Sequence, residues 1–443
     1  MTRPHLLVRL ALVALLASAL APPSLLAQRR TTTATMAPLP TAAPESVGFA
    51  PGLPARMDEA MQGLIDKKHL SGIVTLVARK GKVVQHHAYG FQDAEKQVPM
   101  RTDTIARIYS MTKPVAGVAM MMLYEEGKWK PSDPIAKHIP EFANLKVFAG
   151  EKDGAPMLED PMHPPTMGEL MSHTAGFTYG LFGNTPVDQM YRKNDPLEAP
   201  SLKGMIDRLA TLPLLYQPGT RWVYSVSVDI QGYLVEKLSG KTFPEFLRTR
   251  LFEPLGMIDT DFFVPVEKMP RVAVIYAWDK NTAGLAPAPH DPGINQMPGL
   301  PSGGGGLYST AADYFRFAQM MLNGGEYDGK RILKKATVEM MRTNVLSEQV
   351  LNSKSGIGQA LFSPAQGFGY DFAVVLDPDA AKRQVGKGSY WWWGIAGTWF
   401  WIDPTNDLIG IGIIQRRGGA PGAANHEDLQ RRVVYETLTT SRK

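Results

Sequence analysis

The chain has 443 residues, of which 44% are apolar and 20% are charged, and this composition excludes an intrinsically disordered protein. It contains no cysteine, which excludes disulfides, thiolate zinc sites and a cysteine nucleophile. The formal net charge of +5 is spread along the chain without a run of Lys or Arg, so we predict no nucleic-acid partner.

The N-terminal segment has the pattern of a secretory signal. Arg3 and Arg9 precede an apolar run over 10–21 that is too short to span a bilayer. We place a signal peptide at 1–27 and interpret the Thr-, Ala- and Pro-rich residues 28–45 as a flexible leader. The alternative is a buried N-terminal helix. The signal pattern predicts an exported protein, periplasmic or secreted, without a membrane span.

Residues 46–443 are predicted to form one domain, which begins with a helix and a β-hairpin. Apolar residues recur at helical spacing over 55–69. Strand patterns follow at 72–78 and 83–89, on either side of the tight turn Lys80-Gly81-Lys82. The stretch 104–268 is mostly helical in pattern, and its clearest helices are 229–238 and 243–251.

The last third of the chain returns to strands after one more amphipathic helix at 311–322. The predicted strands are 369–376, 399–403 and 408–415, and a helix at 427–438 closes the chain. We therefore predict an α+β fold with an antiparallel sheet built from both termini and flanked by helices. The sheet part would comprise about 46–103 and 295–443, with a mostly helical part inserted over about 104–294.

The segment Ser110-Met111-Thr112-Lys113 is a candidate nucleophile motif. An extended approach leads to Ser110, which then opens a long apolar helix with Pro114 in its first turn and Gly127 near its end. Lys113 would lie on the same helix face, within reach of the serine hydroxyl. A desolvated lysine can take the proton of such a hydroxyl. The alternative is that Ser110 only caps the helix and Lys113 is a surface lysine.

Other catalytic or metal-binding arrangements find little support. There is no Gly-x-Ser-x-Gly elbow, which argues against an α/β-hydrolase. His173 follows a helical stretch and is expected to make a structural hydrogen bond at a helix end, although a role as base is possible. The pair His86-His87 lies on a predicted strand, where its side chains point to opposite faces. We predict no metal and no cofactor.

Two later segments complete a candidate site. Tyr224 lies in a predicted loop before the helix at 229–238; a phenol beside an ammonium can act as a general base, although packing is the alternative. The second segment contains Trp392-Trp393-Gly394 and continues into a strand. Its glycine would let a ligand approach the backbone closely, and its indoles would form a wall of an apolar pocket or a core strand.

The order Ser-x-x-Lys, Tyr-Ser-x and Trp-x-Gly resembles the family VIII carboxylesterases, which have the fold of class C β-lactamases and penicillin-binding proteins. The resemblance covers nearly all of residues 46–440 and includes the glycine run of 302–313. It implies that Ser110 is the nucleophile, Lys113 its partner, and Tyr224 the base that also protonates the leaving group. It also implies an oxyanion hole formed by the backbone N–H groups of Ser110 and Ile395.

The same resemblance implies which residues bind substrate and which substrate class is preferred. Trp392, Trp393, Gly394 and Tyr308 are expected to contact the substrate. Where β-lactamases have Tyr-x-Asn this chain has Val226, and where they have Lys-Thr-Gly it has Trp392-Trp393-Gly394. The groups that hold a β-lactam are therefore replaced by apolar ones.

The activity expected is hydrolysis of a small-molecule ester with a short- to medium-chain acyl group, through an acyl-enzyme on Ser110. The first alternative is an amide hydrolase on the same scaffold, such as a β-lactamase, a D-amino-acid peptidase or an oligoamide hydrolase. A second alternative is a non-catalytic relative of the fold, and acyl transfer to an alcohol remains open.

Overall fold

A computed structural model describes residues 38–153, 155–282, 284–288, 293–353, 363–418 and 425–439, all within the unit Met36–Lys443. The predicted signal peptide at 1–27 lies outside the described residues. The end of the predicted leader joins the fold earlier than expected: Thr41 forms a parallel bridge with Val83, and Pro44–Val47 is a 3-10 helix. Among the described helices, none is both long and apolar enough to cross a lipid bilayer.

The centre of the fold is an eight-stranded antiparallel sheet contributed by both ends of the chain, as predicted. Its strands in chain order are β1 (Gly72–Arg79), β2 (Lys82–Asp93), β3 (Val98–Pro99), β4 (Gln366–Phe368), β5 (Ala373–Val375), β6 (Tyr390–Trp393), β7 (Trp399–Asp403) and β8 (Leu408–Ile413). Their order across the sheet is β4-β5-β6-β7-β8-β1-β2-β3. The C-terminal strand β8 therefore pairs with β1, with Val74 opposite Ile413 and Arg79 opposite Leu408.

Glycines on β8 make room for indoles on β7. A Cβ atom on Gly410 or Gly412 would lie 2.1 Å and 2.0 Å from the rings of Trp401 and Trp399, respectively. The neighbouring side chain Phe400 points to the other face, where its ring centroid lies 5.0 Å from that of Tyr314. The alternation of β7 thus places its two indoles on one face of the sheet and Phe400 on the other.

Helices cover both faces of the sheet and fill the inserted region. Their bounds are α1 (Leu53–Asp66), α2 (Thr112–Glu125), α3 (Met167–Met171), α4 (Pro186–Lys193), α5 (Leu202–Leu209), α6 (Ser227–Ser239), α7 (Phe243–Leu247), α8 (Glu253–Leu255), α9 (Ala311–Leu322), α10 (Lys335–Met341), α11 (Glu348–Leu351) and α12 (His426–Glu436). The helices α1 and α12 pack together on one face, and α9 packs on the other. Helix α2, predicted to have one buried face, is buried on all sides from Thr112 to Leu123.

Several short strand pairs were not predicted. A hairpin of Val147–Lys152 and Ala155–Glu159 lies within the region expected to be helical. Tyr276–Asp279 pairs with Gly284–Pro287 and, in parallel, with Arg416–Arg417. Glu326–Tyr327 pairs with Lys330–Arg331. The single strand predicted at 369–376 is wrong: β4 and β5 are two strands joined by a tight turn in which Asp371 has φ of 61°.

Candidate active site

The segment around Ser110 changes from strand to helix within a few residues. Ala106–Arg107 pairs with Tyr308–Ser309, and a 3-10 turn at Tyr109–Met111 leads into α2. Tyr109 has a backbone φ of 45°, in the left-handed region that residues other than glycine rarely adopt. Such strained residues concentrate at functional sites, where the surrounding structure holds them. The half-buried Ser110 is thereby presented at the start of α2, as its sequence position predicts.

Lys113 is buried against Ser110, with 1% of its surface exposed. Its Nζ lies 3.4 Å from the Oγ of Ser110 and donates to the carbonyl oxygen of Gly304 at 2.7 Å and to the hydroxyl of Tyr179 at 3.0 Å. This geometry confirms that the serine and lysine share one helix face. It also excludes the alternative of a surface lysine.

Tyr179 and Asp229 form a second layer behind Lys113. The hydroxyl of Tyr179 donates to Asp229 Oδ2 at 3.3 Å. Burial raises the pKa of the Asp229 carboxyl, and the nearby Lys113 ammonium opposes that rise. Burial also raises the pKa of Tyr179 well above that of an ordinary phenol, and Asp229 reinforces this. Tyr179 therefore stays a neutral donor that links the lysine to the carboxyl.

The glycine run after Ser302 fixes this second layer. Asp229 Oδ1 accepts from the Ser302 hydroxyl and, at 3.0 Å, from the backbone N–H of Gly304. A Cβ on Gly304 would lie 2.4 Å from Asp229 Oδ2 and 2.6 Å from the Tyr179 hydroxyl. Only glycine fits at this position, because its backbone passes between Lys113 and Asp229.

A second buried carboxyl, Asp371, lies in the turn between β4 and β5. It is fully buried, and its Oδ1 accepts from Gln231 Nε2 at 3.3 Å. A Cβ on Gly117, one turn beyond Lys113 on α2, would lie 2.6 Å from Asp371 Oδ2. Burial raises the pKa of Asp371 well above that of an ordinary carboxyl. Burial therefore disfavours the charged form of this carboxyl, which packs against the helix that carries Lys113.

Tyr224 lies in the loop before α6, where it was predicted, and meets Lys113 through its ring. The Nζ of Lys113 is 4.5 Å from the ring centroid of Tyr224. In the described part of the chain, no hydrogen bond joins the Tyr224 hydroxyl to Lys113 or Ser110. The phenol that is hydrogen-bonded to the lysine is that of Tyr179. The structure thus places both tyrosines beside the ammonium, in different orientations.

His173 has the structural role that its sequence position favours. It is buried just after α3, and its Nδ1 lies 3.1 Å from the Ser225 hydroxyl. Burial lowers the pKa of His173 well below 6.5, and the charge of Lys113 lowers it further. Its ring packs against Tyr224 at a centroid distance of 5.3 Å. A neutral imidazole held in this way supports the tyrosine loop.

The third motif lies at the end of β6, opposite the start of the nucleophile segment. A Cβ on Gly394 would lie 2.3 Å from the carbonyl oxygen of Ile108, and the Thr398 hydroxyl donates to that same oxygen at 3.2 Å. The side chain of Ile395 is 62% exposed. This close approach brings the backbone around Ile395 near that of Ser110. The oxyanion hole of their two N–H groups remains a prediction.

The predicted substrate-binding residues occupy two different environments. Trp392 is buried, with its ring centroid 5.6 Å from that of Tyr224, and the half-buried Trp393 packs on it at 4.5 Å. Tyr308 is buried in a separate small cluster with Ile105 and Val264. Trp392 therefore packs against the ring of Tyr224. The binding roles of Trp392, Trp393, Gly394 and Tyr308 remain predictions.

The roles of Tyr179, Asp229 and Gly304 were not predicted. The resemblance included the glycine run that contains Gly304, but no role was assigned to that run. Asp229 was placed only as the start of a helix. Among the described residues, no group of three or more His, Asp or Glu side chains is placed to hold a metal ion.

Comparisons with known proteins identify the family of the chain. The beta-lactamase family matches residues 57–435. The chain is 35% identical over 364 residues to Protein Rv1367c of Mycobacterium tuberculosis, covering 80% of this chain and 88% of that protein. It is 29% identical over 377 residues to Esterase EstB of Burkholderia gladioli, covering 79% and 88%.

Solved structures include a similar fold. EstCE1, described as a hydrolase with promiscuous acyltransferase activity, has a TM-score of 0.71 and 25% identity, over 87% of this chain and 98% of that chain. The family match covers most of the chain, and the esterases among its relatives agree with the resemblance carried by the three motifs. The chain therefore belongs to the beta-lactamase family and is a serine hydrolase of that fold.

Proposed function

We propose that the protein hydrolyses carboxylic esters through an acyl-enzyme on Ser110. The observation that carries the proposal is the distance of 3.4 Å between Ser110 Oγ and the Nζ of a buried Lys113. An isolated serine hydroxyl is a weak nucleophile and needs a neighbouring group that removes its proton. Lys113 lies within reach of the hydroxyl, and the phenols of Tyr179 and Tyr224 lie beside the lysine.

In acylation, Ser110 Oγ attacks the ester carbonyl carbon and passes its proton to the phenolate form of Tyr224, whose negative charge the adjacent Lys113 ammonium stabilises until that proton arrives. The carbonyl oxygen becomes an oxyanion, which the N–H groups of Ser110 and Ile395 would bind. When the tetrahedral intermediate collapses, the bond to the alcohol oxygen breaks and Tyr224 returns the proton to it. Water then repeats these steps on the acyl-enzyme and releases the acid.

Tyr224 is the better candidate for the proton carrier of the two phenols. Burial and the nearby Asp229 raise the pKa of Tyr179, which keeps Tyr179 protonated. Its hydroxyl is also occupied between Lys113 and Asp229. Tyr224 is half-buried and has no such partners among the described residues. We assign Tyr179 to holding Lys113 in place.

The apolar replacements in the second and third motifs support an ester substrate. Val226 and Trp392 stand where a β-lactamase would offer an amide and a lysine, and Val226 is buried. A substrate carboxylate or amide would find no such partner at either position. Neutral esters with short- to medium-chain acyl groups fit this environment. EstB, a relative, is named as an esterase.

The test compares two substrates on wild type and Ser110→Ala. Wild type should hydrolyse a p-nitrophenyl short-chain ester faster than a chromogenic cephalosporin, and Ser110→Ala should lose the esterase activity. Ser46→Ala changes an exposed serine and is the matched control. Full esterase activity in Ser110→Ala would refute the nucleophile. Faster cephalosporin turnover would favour the amide hydrolase alternative, and absence of labelling by a fluorophosphonate probe would favour a non-catalytic relative.

Acyl transfer is a second candidate activity. EstCE1 is described as a hydrolase with promiscuous acyltransferase activity, and it shares this fold over 87% of the present chain. An alcohol that enters the site before water would accept the acyl group from Ser110. Adding a small alcohol to the assay and measuring the new ester against the released acid would separate the two outcomes.

We also propose that the protein is exported, with residues 1–27 removed. The proposal rests on the sequence pattern of Arg3, Arg9 and the apolar run over 10–21. Expression of the full chain in a bacterial host, followed by fractionation and N-terminal sequencing, tests it. A mature chain beginning near Gln28 outside the cytoplasm is expected. An uncleaved cytoplasmic chain would refute export.

A further inference from the structure

Two exposed apolar side chains, Leu181 and Phe182, lie beside Tyr179 and Tyr224. Leu181 is 65% exposed and Phe182 is 41% exposed. The ring centroid of Phe182 lies 5.8 Å from that of Tyr224 and 6.5 Å from that of Tyr179. We call Leu181 and Phe182 the apolar lip. Large exposed apolar groups are informative where they adjoin a site, because burying them against a ligand is favourable.

The loop that carries the lip is fixed from one side by a buried carboxylate. Asp188 is 1% exposed, and its Oδ1 accepts from the Thr178 hydroxyl at 3.2 Å. Its Oδ2 accepts from the N–H of Thr185 at 3.0 Å and from the hydroxyl of Thr185 at 2.8 Å. A Cβ on Gly183 would lie 2.4 Å from that same Oδ2. One carboxylate therefore holds residues on both sides of the lip.

The side chain of Arg192 fixes the same loop by donating to the loop's backbone carbonyl oxygens. Arg192 of α4 donates to the carbonyl oxygens of Gly180 and, at 3.1 Å, of Gly183, and to the Oδ1 of Asn184 at 2.7 Å. Gly180 has φ of 71°, which allows the sharp turn into the lip. The loop thus holds the lip in place without burying it. A preorganised apolar surface loses little freedom when a ligand covers it.

We propose that the apolar lip binds the alcohol part of the ester. This inference rests on the proposed function, in which a phenol returns the proton to the leaving alcohol oxygen. The proton donor must lie within hydrogen-bond reach of that oxygen, so the alcohol group leaves on the side of the tyrosines. Phe182 contacts both tyrosine rings, which places the lip where the alkyl or aryl group of the alcohol extends. The protein then prefers esters of apolar alcohols.

The preference for apolar alcohols should affect the rate of acylation and not the rate of deacylation. Each methylene of the alcohol that the lip covers should raise kcat/KM by up to about fourfold, from about 0.8 kcal/mol per buried methylene. The alcohol has left before water attacks, so the deacylation rate of a given acyl-enzyme should not depend on the lip. These two steps therefore separate alcohol binding from a general loss of catalysis.

The experiment uses two substrate series on the full-length protein. One series is the acetates of methyl, butyl, hexyl and octyl alcohol, and the other is the methyl esters of the matching acids. The variants are Leu181→Ser, Phe182→Ala and Phe182→Leu. Val266→Ser removes another apolar side chain, 66% exposed, and is the matched control. Deacylation of the acetyl-enzyme is measured from the burst and steady-state phases with p-nitrophenyl acetate.

We expect Leu181→Ser and Phe182→Ala to lower kcat/KM for octyl acetate about tenfold relative to methyl acetate, and Phe182→Leu to restore most of it. The acyl series and the deacylation rate should stay at wild-type values. An equal loss in both series, or no chain-length dependence in the alcohol series, would overturn the proposal. Wild-type protein that hydrolyses no ester would instead refute the proposed function.

Discussion

Removing the hydroxyl of Tyr179 tests whether Tyr179 and Asp229, the second layer behind Lys113, matter for catalysis. Tyr179→Phe keeps the ring but removes the group that accepts from Lys113 Nζ at 3.0 Å and donates to Asp229 at 3.3 Å. Lys113 would retain its bond to Gly304 and its contact with Ser110. The ammonium would thus lose one of its fixed partners.

The size of the effect follows from the charge of the lysine. A hydrogen bond to a charged group contributes about 1.5–3 kcal/mol, so kcat/KM should fall about 10- to 150-fold if the whole loss appears in the transition state. Initial rates of p-nitrophenyl acetate hydrolysis give kcat/KM, and urea denaturation reports the fold. Tyr224→Phe should cost about 10²–10⁴-fold, because it removes the proton carrier itself.

The matched control is Tyr216→Phe, which removes a hydroxyl from a half-buried tyrosine packed on Arg221 at 4.4 Å. It should retain wild-type kcat/KM. If Tyr179→Phe also retained it while staying folded, Tyr179 would have only a packing role. If Tyr224→Phe were fully active and Tyr179→Phe inactive, the proton carrier would be Tyr179.

Three further predictions concern packing and pH. Gly304→Ala should lower kcat/KM and cost about 1–3 kcal/mol of stability, measured by urea denaturation, because its Cβ would meet Asp229 Oδ2 at 2.4 Å. Burial lowers the pKa of His426 to about 4, so the unfolded chain binds the extra proton as the pH falls below 6.5. Stability should drop by up to about 3 kcal/mol between pH 6.5 and 4, and His426→Gln should flatten that slope in urea titrations; an unchanged slope would contradict it. Burial raises the pKa of Asp371 well above its ordinary value, so the carboxyl costs stability once the pH exceeds about 4, where the unfolded chain ionises; the urea midpoint of Asp371→Asn relative to wild type should therefore rise from pH 3 to pH 8.

The sheet was predictable only where its strands have strong local patterns. Trp399–Asp403 and the helix Ala311–Leu322 have the predicted bounds. The turn between β4 and β5 was missed because Asp371 adopts a left-handed conformation that its residue type does not require. The hairpin beginning at Val147 was missed because its outer strand, Ala155–Glu159, is mostly exposed and lacks an apolar alternation.

The candidate site was predictable only where residues are close in sequence or belong to a known motif. The spacing of Ser110 and Lys113 places them on one helix face. Asp229 and Gly304 meet across 75 positions through a backbone N–H, which no local pattern encodes. The preference for Tyr224 over Tyr179 as proton carrier depends on which phenol Lys113 and Asp229 already occupy, which is a property of the folded site.

The place of β8 in the sheet has a consequence for biosynthesis. β8 lies between β7 and β1, so the N-terminal hairpin has one unpaired edge until residue 413 has been made. The turn at Gly394, which packs on Ile108 beside the nucleophile, is also contributed late. Pairings of such long sequence separation form slowly, and an open strand edge favours aggregation meanwhile. A nascent chain should therefore be inactive and depend on chaperones until its last third emerges.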